Sequence, residues 1–457
     1  MSYIPNLESL RHFFNSGATQ ELSFRKEQLK RLRETIIKYE EELNDALYSD
    51  LKKSKEEVWI TETGLVLSEI SYFLKNLEDL AAPQKTATNL LNLPGKSYIM
   101  YEPLGVVLII APWNYPFQLS LIPLVGAIAA GNCAVLKPSE VAVATEAVIQ
   151  KILAETFAPQ YISFASGDGA RVVPEMVQHF RFDHIFYTGS TAVGKAVYKL
   201  AAEQLVPVTL ELGGKSPCIV SAKANLKLAA KRIAMAKFSN AGQMCITPDY
   251  LLVHQSVKEA FVETLKQTIT QFYGDHPVES YDYGRIINKK QFNRLMGYLQ
   301  NNTLLAGGTH NEELLYISPT LIDAPKMDAP IMLEEIFGPL LPVLTYNDDA
   351  FALDVINHNP NPLAFYVFTD DSKEADRWLR KVPSGGACIN AVAMHYLNKN
   401  LPFGGRGNSG IGRYHGRFSM ETFSHAKAVL KAATWPDLPV AYPSFKGRLG
   451  LLKKLIG

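Results

Sequence analysis

Between residues 105 and 212, short apolar runs alternate with amphipathic stretches, and this alternation limits the fold more than any other feature. Residues 105–110 are continuously apolar, which is typical of a strand buried on both faces of a parallel sheet. The alternation predicts strands at 105–110, 133–136, 161–165, 184–187 and 208–212. It predicts helices between them at 119–130, 142–155, 174–179 and 193–204. Successive βα units of this length favour a doubly wound parallel sheet, in which ligands bind beyond the carboxyl ends of the strands.

A second series of the same kind follows Gly213 and Gly214. It predicts helices at 226–238, 258–272 and 289–300, and strands at 251–254, 317–321 and 339–345. We therefore expect an α/β fold with two doubly wound parallel-sheet domains that face each other across a cleft. Residues 23–80 carry apolar side chains at every third or fourth position and predict helix, whereas 91–102 predict an extended arm.

The composition excludes several classes of protein. A chain of 457 residues, 47% of them hydrophobic, is long enough for two or three domains. Its 46 Lys and Arg nearly balance its 45 Asp and Glu, so the chain has almost no net positive charge that would attract it to nucleic acid. The four cysteines form no CxxC pair and the histidines no HxxxH pair, so we expect a reducing compartment and no metal site. No secretory signal is visible and prolines interrupt the most apolar region, 105–136, so we expect a cytoplasmic protein.

One cysteine, Cys245, lies in a polar turn between a predicted helix and a predicted strand. A connection between elements runs over a surface or lines a cleft, so its thiol can stay partly exposed. The thiolate is the nucleophilic form of cysteine. At neutral pH a free cysteine needs backbone N–H groups or a base nearby in order to ionise to the thiolate. A half-buried structural cysteine is the alternative interpretation, because unpaired cysteine is among the most buried residue types.

Two further polar residues lie at or after the ends of predicted strands. Glu211 lies near the end of the last strand of the first series, where burial raises the pKa of a carboxyl group toward the range of a general base. The alternative is a glutamate paired with Lys215 or another cation. Asn114 lies between two prolines after the first strand, and its amide is suited to stabilising an oxyanion. An ordinary asparagine turn explains the same residues.

Weaker signals suit a nucleotide cofactor. The turn with Gly189, Ser190 and Gly194 begins a predicted helix whose free N–H groups suit a pyrophosphate, although a plain βα turn explains it equally. Lys137 and Glu140 follow another strand and suit the hydroxyls of a ribose, although solvated charges are the default for such a pair. Residues 332–339 have an aromatic residue beside a carboxylate, and residues 402–405 have an aromatic residue beside glycines. Packing alone also explains both segments.

Taken in chain order, these segments resemble the aldehyde dehydrogenase superfamily. The resemblance covers about residues 20 to 430 and rests on these motifs: Pro112-Trp-Asn-Tyr-Pro, Lys137-Pro-Ser-Glu, Thr188-Gly-Ser-Thr-Ala-Val-Gly, Leu210-Glu-Leu-Gly-Gly-Lys-Ser-Pro, Gly242-Gln-Met-Cys, Glu334-Glu-Ile-Phe-Gly-Pro and Pro402-Phe-Gly-Gly. Cys245-Ile-Thr-Pro-Asp-Tyr and Gly412-Arg-Tyr-His-Gly are most similar to the class 3 branch, which includes fatty and aromatic aldehyde dehydrogenases.

The resemblance implies a reaction and a set of site residues. It implies that Cys245 attacks the carbonyl of an aldehyde, that Asn114 and the Cys245 backbone N–H hold the oxyanion, and that Glu211 activates water to release the acid from a thioester. It implies NAD as the cofactor and leaves NADP open, because Glu140 should repel a 2′-phosphate whereas some class 3 enzymes accept it. The implied cofactor-binding residues are Lys137, Glu140, Gly189, Ser190, Gly194, Leu212, Gly213, Glu335 and Phe337. The implied pocket for an apolar aliphatic or aromatic aldehyde has Trp113, Tyr115 and Met244, the last where the class 3 pattern usually has threonine.

The resemblance also implies an organisation of the chain. We expect an NAD(P)-binding domain at 1–208 with an oligomerisation arm at 83–103, and a catalytic domain at 209–395. The C-terminal segment, 396–457, would complete the oligomerisation region and the substrate entrance of a homodimer. Its last residues, 445–457, are amphipathic and basic, so contact with a membrane surface is an alternative to the favoured helix that closes the entrance or the dimer.

Two other functions stay open at this point. Relatives that pass the acyl group to coenzyme A generally lack the glutamate matched by Glu211, so its presence counts against coenzyme A acylation. A catalytically idle relative, kept as a structural or binding protein, is the other alternative. The presence of nucleophile, base, oxyanion donor and cofactor residues together counts against it.

Overall fold

The structure is a computed structural model that describes residues 3–300, 302–435 and 442–456. Its strands, in chain order, are β1 Gln84–Thr86, β2 Lys96–Pro103, β3 Val106–Ile110, β4 Cys133–Lys137, β5 Ile162–Phe164, β6 His184–Thr188, β7 Val208–Glu211, β8 Pro217–Val220, β9 Tyr250–His254, β10 Thr303–Ala306, β11 His310–Asn311, β12 Tyr316–Ile317, β13 Thr320–Asp323, β14 Leu340–Tyr346, β15 Ala364–Phe368, β16 Gly386–Ile389, β17 Gly410–Ile411 and β18 Ser424–Lys431.

Its α-helices are α1 Leu7–Asn15, α2 Leu22–Lys38, α3 Glu40–Leu51, α4 Lys55–Val58, α5 Gly64–Ala81, α6 Gln118–Ala130, α7 Val143–Thr156, α8 Gly169–His179, α9 Thr191–Glu203, α10 Leu226–Phe238, α11 Lys258–Tyr273, α12 Lys289–Leu299, α13 Pro330–Leu333, α14 Asp349–Asn357, α15 Ser372–Lys381, α16 Arg417–Thr422 and α17 Leu449–Ile456. No helix in these described ranges combines the length and the apolar character needed to cross a bilayer.

The first predicted series forms a six-stranded sheet with the order β17-β7-β6-β3-β4-β5. The strands from β3 to β7 run parallel, and the short β17 pairs antiparallel with β7. β3, β4 and β6 are buried along their whole length, in keeping with their continuous apolar sequence. The carboxyl ends of β7, β6, β3 and β4 lie side by side at one edge of the sheet, and the predicted ligand-binding turns begin there.

The second predicted series forms a seven-stranded sheet with the order β10-β13-β14-β9-β8-β15-β16. Its strands run parallel except β10, which pairs antiparallel with β13. The prediction of one strand at 317–321 was wrong: Pro319, which has no N–H to donate to a ladder, separates β12 from β13. The predicted α/β fold with two parallel-sheet domains is confirmed.

The predicted extended arm is part of a third, antiparallel sheet with the order β1-β2-β18. β2 pairs along its whole length with β18, from Lys96 opposite Lys431 to Pro103 opposite Ser424. The arm is therefore joined to the C-terminal segment, and α17 lies beside the Leu90–Asn92 turn of the arm. The predicted segment 396–457 includes 436–441 and 457, which lie outside the described residues.

The predicted helical region 23–80 is divided into several helices. α3 ends at Leu51, and the next residue, Lys52, has a left-handed backbone conformation with φ 60°. Between α4 and α5, residues Trp59–Thr63 form one turn of π-helix, a distortion that is frequent at functional sites. The predicted short helix 174–179 is longer than expected, because it begins at Gly169 and is capped by the side chain of Asp168. α1 was not predicted.

Candidate active site

The loop that carries Cys245 has an unusual backbone. Asn240, Ala241 and Gly242 follow α10 with φ values of 48°, 50° and 74°, in the left-handed region that favours glycine and disfavours alanine. Glycine is required at 242, because a Cβ atom there would lie 2.3 Å from the backbone O of Gly338. Conformations of this kind are costly and occur where the surrounding structure enforces them.

Gln243 is the residue that fixes this loop. Its side chain is fully buried, and Nε2 donates to the backbone O of Asn240 at 3.0 Å and of Arg285 at 2.9 Å. Its Oε1 accepts from the backbone N–H of Ile287 at 3.0 Å. The amide is thus satisfied on both sides, and the turn that leads to Cys245 is held against a second segment of the same domain.

Cys245 itself is half-buried and forms no disulfide. Burial and the carboxylates of Glu335 and Glu211 raise the pKa of its thiol, and the backbone N–H groups of Cys245 and Ile246 lower it. Burial dominates the pKa of Tyr115, Tyr396 and Tyr414, and the charge of Cys245 raises each further. The thiol therefore lies among aromatic rings, with two carboxyl groups close enough to influence it.

The Asn114 side chain lies directly beside the cysteine loop. It is 2% exposed, and its Nδ2 donates to the backbone O of Gln243 at 3.0 Å. The turn after β3 also brings Tyr115, which is buried, and Trp113, which is half-buried, to the same side of the cleft. An amide with two N–H bonds and one such partner has a second donor available for an oxyanion.

Glu211, at the end of β7, is buried without a hydrogen-bond partner. Its side chain is 2% exposed, and both carboxyl oxygens lack a donor within the described ranges. Burial raises the pKa of this carboxyl group well above its ordinary value. The alternative pairing with Lys215 is not present, because Lys215 forms a buried ion pair with Asp249. A carboxyl group whose desolvation is not offset by a hydrogen bond or an opposite charge is a candidate for acid–base chemistry.

Lys215 and Asp249 instead hold the segment that carries Glu335. Lys215 Nζ donates to the backbone O of Ile331 and of Glu334, each at 2.8 Å. Asp249 Oδ1 accepts from the backbone N–H of Ile336 at 2.9 Å. The buried pair thus clamps this segment on both sides of Glu335.

Glu335 lies over the turn after β7. A Cβ atom on Gly213 would lie 1.8 Å from Glu335 Oε2, so glycine alone permits this approach. Burial and the charge of Asp249 raise the pKa of Glu335 to about 8, although the hydrogen bond from the backbone N–H of Gly214 lowers it. Phe337 stands edge-on to Trp113, with ring centroids 5.3 Å apart. Gly213, Gly214 and Glu335 border a cleft of 240 Å³ beside the carboxyl ends of the first sheet.

The remaining predicted cofactor residues lie along the same sheet edge. After β4, Lys137 Nζ lies 2.7 Å from Glu140 Oε2. Burial tends to raise the pKa of Glu140, but the hydrogen bond from Lys137 and the backbone N–H groups outweigh it, so the net shift is downward. After β6, the Ser190 hydroxyl caps α9 by accepting from the N–H of Val193.

Three other predicted residues take part in close packing. A Cβ atom on Gly194 would lie 2.5 Å from Leu212 Cδ2, and one on Gly189 would lie 2.3 Å from Tyr187 Oη. Glycine at 194 lets α9 lie close to the end of β7, which brings the N-terminus of that helix to the edge of the sheet. Met244, adjacent to the thiol, is half-buried.

The matching family model is that of the aldehyde dehydrogenase family, and it covers residues 9–429. The chain belongs to the aldehyde dehydrogenase family. It is therefore an oxidoreductase that acts on the aldehyde group, and the predicted class 3 resemblance is confirmed by relatives of that class.

Similar proteins of the family cover nearly the whole chain. It is 46% identical over 443 residues to the 4,4'-diaponeurosporen-aldehyde dehydrogenase of Staphylococcus aureus, covering 96% of each chain. It is 44% identical over 426 residues to mouse aldehyde dehydrogenase family 3 member A2, covering 92% of this chain and 87% of the mouse protein.

Solved structures of the family share the fold. Staphylococcus aureus AldH in its substrate-bound state superposes with a TM-score of 0.96 at 45% identity, covering 98% of each chain. The NAD+ complex of an aldehyde dehydrogenase from Bacillus cereus superposes with a TM-score of 0.83 at 27% identity, covering 94% of this chain and 88% of that one.

Several residues around this aldehyde dehydrogenase site were not predicted. Lys53, Glu57 and Glu62 are buried beneath the Asn114 turn and the cysteine loop, although their sequence is that of a charged helix. No pattern distinguishes them from solvated charges. Asn240 and Gly242 did carry a signal, because these residue types tolerate positive φ better than others. Tyr396 carried none.

Proposed function

We propose that this enzyme oxidises an apolar aldehyde to the carboxylic acid with NAD, through a thioester on Cys245. The observation that carries the proposal is a set of three groups around one loop. They are a half-buried thiol, a buried amide 3.0 Å from the loop backbone, and a buried carboxyl group with no hydrogen-bond partner among the described residues. Nucleophile, oxyanion donor and base are the groups that acyl transfer requires.

We propose that a nicotinamide dinucleotide binds along the carboxyl edge of the first sheet. We assign the pyrophosphate to the N-terminus of α9 at Gly189 and Ser190, because a 13-residue helix presents free N–H groups there. We assign one ribose to Lys137 and Glu140 and the other to Glu335, with Phe337 beside the nicotinamide ring. Gly194, Leu212 and Gly213 complete the binding region. The NAD+ complex of the Bacillus cereus relative supports this assignment.

In the proposed reaction, the Cys245 thiol first loses its proton to solvent, and the thiolate sulfur adds to the aldehyde carbon to give the anion of a tetrahedral thiohemiacetal. The negative charge on oxygen is stabilised by the second N–H bond of the Asn114 amide and by the Cys245 backbone N–H. Preorganised donors of this kind typically contribute about 3 kcal/mol each. NAD, when bound, supplies the hydride acceptance that turns this adduct into a thioester on Cys245.

Glu211 then removes a proton from water, and the resulting hydroxide attacks the thioester to release the acid and the Cys245 thiol. A carboxyl group with a raised pKa is a better base near neutral pH than an ordinary glutamate. No residue in the described part of the chain donates to Glu211, which supports this role, because a free carboxylate can accept a proton without first breaking a hydrogen bond.

The aromatic surroundings of the thiol support an apolar substrate. Tyr115, Trp113 and Met244 belong to the predicted pocket, and Tyr396 and Tyr414 add two rings. Medium-chain aliphatic, long-chain and aromatic aldehydes all match this lining. The Staphylococcus aureus relative named for 4,4'-diaponeurosporen-aldehyde makes that compound a further candidate.

The predicted organisation is part of the proposal. We assign cofactor binding to 1–208, catalysis to 209–395, and the arm at 83–103 with the segment 396–457 to homodimer formation and the substrate entrance. Pairing of β2 with β18 supports the link between arm and C-terminal segment. Four free cysteines support a reducing compartment, and we propose the cytoplasm.

The test is formation of NADH from NAD over a panel of aliphatic, aromatic and 4,4'-diaponeurosporen aldehydes. Wild type, Cys245→Ala and Glu211→Gln are compared, with Cys218→Ala as the control because Cys218 is a buried cysteine in β8. We expect turnover by wild type and the control, none by Cys245→Ala, and a single burst of NADH from Glu211→Gln.

Two outcomes contradict the proposal. Full activity of Cys245→Ala rejects the thioester route. Turnover of wild type only when coenzyme A is added rejects Glu211 as the hydrolytic base and favours acyl transfer to coenzyme A instead.

A further inference from the structure

A pair of buried charges lies beneath the Asn114 turn, outside the residues given a role so far. The side chains of Lys53 and Glu62 are fully buried, and Nζ lies 2.6 Å from Oε1. Lys53 precedes α4, and Glu62 lies in the π-helical turn Trp59–Thr63. A buried ion pair is a weak stabiliser, because the desolvation of both charges offsets their attraction. Its presence requires another explanation.

Each member of the pair holds one end of the turn that carries Asn114. Lys53 Nζ donates to the backbone O of Asn114 at 3.2 Å and lies 3.9 Å from the centre of the Tyr115 ring. Glu62 Oε2 accepts from the backbone N–H of Gln118 at 2.8 Å, in the first turn of α6. The pair therefore fixes the backbone on both sides of the turn.

The cysteine loop contacts the same turn from the other side. Asn240 Nδ2 donates to the backbone O of Asn114 at 2.7 Å, so this oxygen accepts from both Asn240 and Lys53. Glu57 accepts from the backbone N–H of Asn240 at 2.8 Å, so the α4 region contacts both halves of the site. A displacement of about 1 Å in a reacting group can lower a rate about 100-fold, so the accuracy of this arrangement matters to catalysis.

We propose that the Lys53–Glu62 pair is a positioning device that holds the Asn114 amide where the oxyanion forms. The inference rests on the proposed role of Asn114. Lys53 and Glu62 are fully buried and act through the backbone of the turn.

The test uses the double variant Lys53→Met/Glu62→Gln. It removes one charge of each sign, so the net charge near the site is unchanged, and glutamine retains an acceptor for the N–H of Gln118. Single variants are avoided because each leaves an unpaired buried charge that destabilises the fold. The matched control is Lys55→Met/Glu41→Gln, which removes an exposed pair with the same separation of 2.6 Å.

Three quantities are measured on wild type, double variant and control: the thermal midpoint, kcat and KM with NAD and an aldehyde, and the rate of Cys245 alkylation by iodoacetamide. We expect kcat of the double variant to fall at least about tenfold. We expect KM for NAD and the alkylation rate to stay within about twofold of wild type, because alkylation forms no oxyanion. The control should match wild type throughout.

Two results overturn the inference. One is a kcat within about twofold of wild type in a double variant that keeps its thermal midpoint. The other is a parallel fall of kcat and alkylation rate, which means that the pair supports the whole site and not the Asn114 amide. If the methionine variant does not fold, the same criteria apply to Lys53→Gln/Glu62→Gln. If the wild-type protein itself shows no turnover with NAD and an aldehyde, the proposed function is rejected before the variants are compared.

Discussion

Glu211 shows how one residue couples function to a cost in stability. Its carboxyl group is buried, its pKa is raised by that burial, and no donor contacts it within the described ranges. Burying an ionised group without a partner is unfavourable, so the folded protein is destabilised whenever Glu211 is charged. The same property suits Glu211 to the proposed role of a base near neutral pH.

This cost predicts a pH-dependent gain in stability for Glu211→Gln. Because the folded-state pKa is raised, the folded protein keeps a proton that the unfolded chain releases above about pH 4.3, and wild-type stability falls as the pH rises. Glutamine has no such loss. We expect the variant's thermal midpoint to exceed that of wild type by an amount that grows toward alkaline pH and vanishes below about pH 4. A difference that is constant with pH would contradict the assignment.

Glu140 leads to a prediction about cofactor choice. Burial alone would raise its pKa, but the hydrogen bond from Lys137 and the backbone N–H groups outweigh burial and lower it. We therefore expect Glu140 to be ionised and to repel a 2′-phosphate at the proposed ribose site. We expect Glu140→Gln to reduce the preference of kcat/KM for NAD over NADP about tenfold, or ~1.4 kcal/mol. The control is Glu146→Gln, on the next helix. An unchanged ratio in Glu140→Gln would mean that this residue does not discriminate between the cofactors.

The sequence allowed the prediction of residues that follow strands, but not of those that support them. Glu211 and Asn114 were accessible because strand ends in a parallel sheet converge on one edge. Cys245 was accessible for another reason, because it is a cysteine in a polar turn between a predicted helix and a predicted strand. Lys53 and Glu62 were not, because a lysine and a glutamate in a charged helical region are normally solvated. The partner of Lys215 was also hidden, since Asp249 reaches it only through the tertiary fold.

At the scale of elements, α13 and the segment after it depend on a buried ion pair. Lys215 and Asp249 together bind three backbone groups between Ile331 and Ile336, and Glu335 lies within this stretch. The pair thus links a structural anchor to the residue assigned to the nicotinamide ribose.

We expect Asp249→Ala to lower the free energy of unfolding by about 3 kcal/mol, because it leaves Lys215 buried without its partner. We also expect KM for NAD to rise, since the segment that carries Glu335 loses its anchor. Chemical denaturation and steady-state kinetics measure the two effects. Asp323→Ala, which breaks the more exposed pair with Lys258, is the control and should cost less than about 1 kcal/mol. Equal losses in the two variants would contradict the argument.

Periodicity located elements best where apolar runs and amphipathic stretches alternate regularly. The strands and helices of the first series agreed with the structure in type and order, and only the start of α8 was misplaced. β8, β15 and β16 were not identified, since short strands outside such an alternation have too little pattern to separate them from other buried segments. The π-helical turn was also unforeseen, because helical periodicity does not distinguish one turn of π-helix from α-helix.

At the scale of the whole molecule, the small sheet leads to a prediction about assembly. Within the described residues, β18 pairs with β2 alone, and Leu430 in β18 is 47% exposed. An eight-residue strand with an available edge and an exposed apolar side chain suits a contact between subunits.

We expect the wild-type protein to be a homodimer by light scattering and Leu430→Glu to shift it toward monomer, because a charge would be buried in the contact. Leu205→Glu is the control, since Leu205 is 86% exposed and follows α9, far from the arm in sequence. A dimer unaffected by Leu430→Glu would place the contact elsewhere, and a monomeric wild type would reject the dimer.

The small sheet also has a consequence for synthesis of the chain. β2 ends at Pro103, and the strand that completes it, β18, begins only at Ser424. At a translation rate of about 10 residues per second, the ribosome needs roughly half a minute to reach that strand. Throughout this interval the nascent chain carries β2 with one edge unpaired, and such an edge is a template for association with other chains. A ribosome stalled before residue 424 would therefore carry the form of this protein that is most exposed to aggregation.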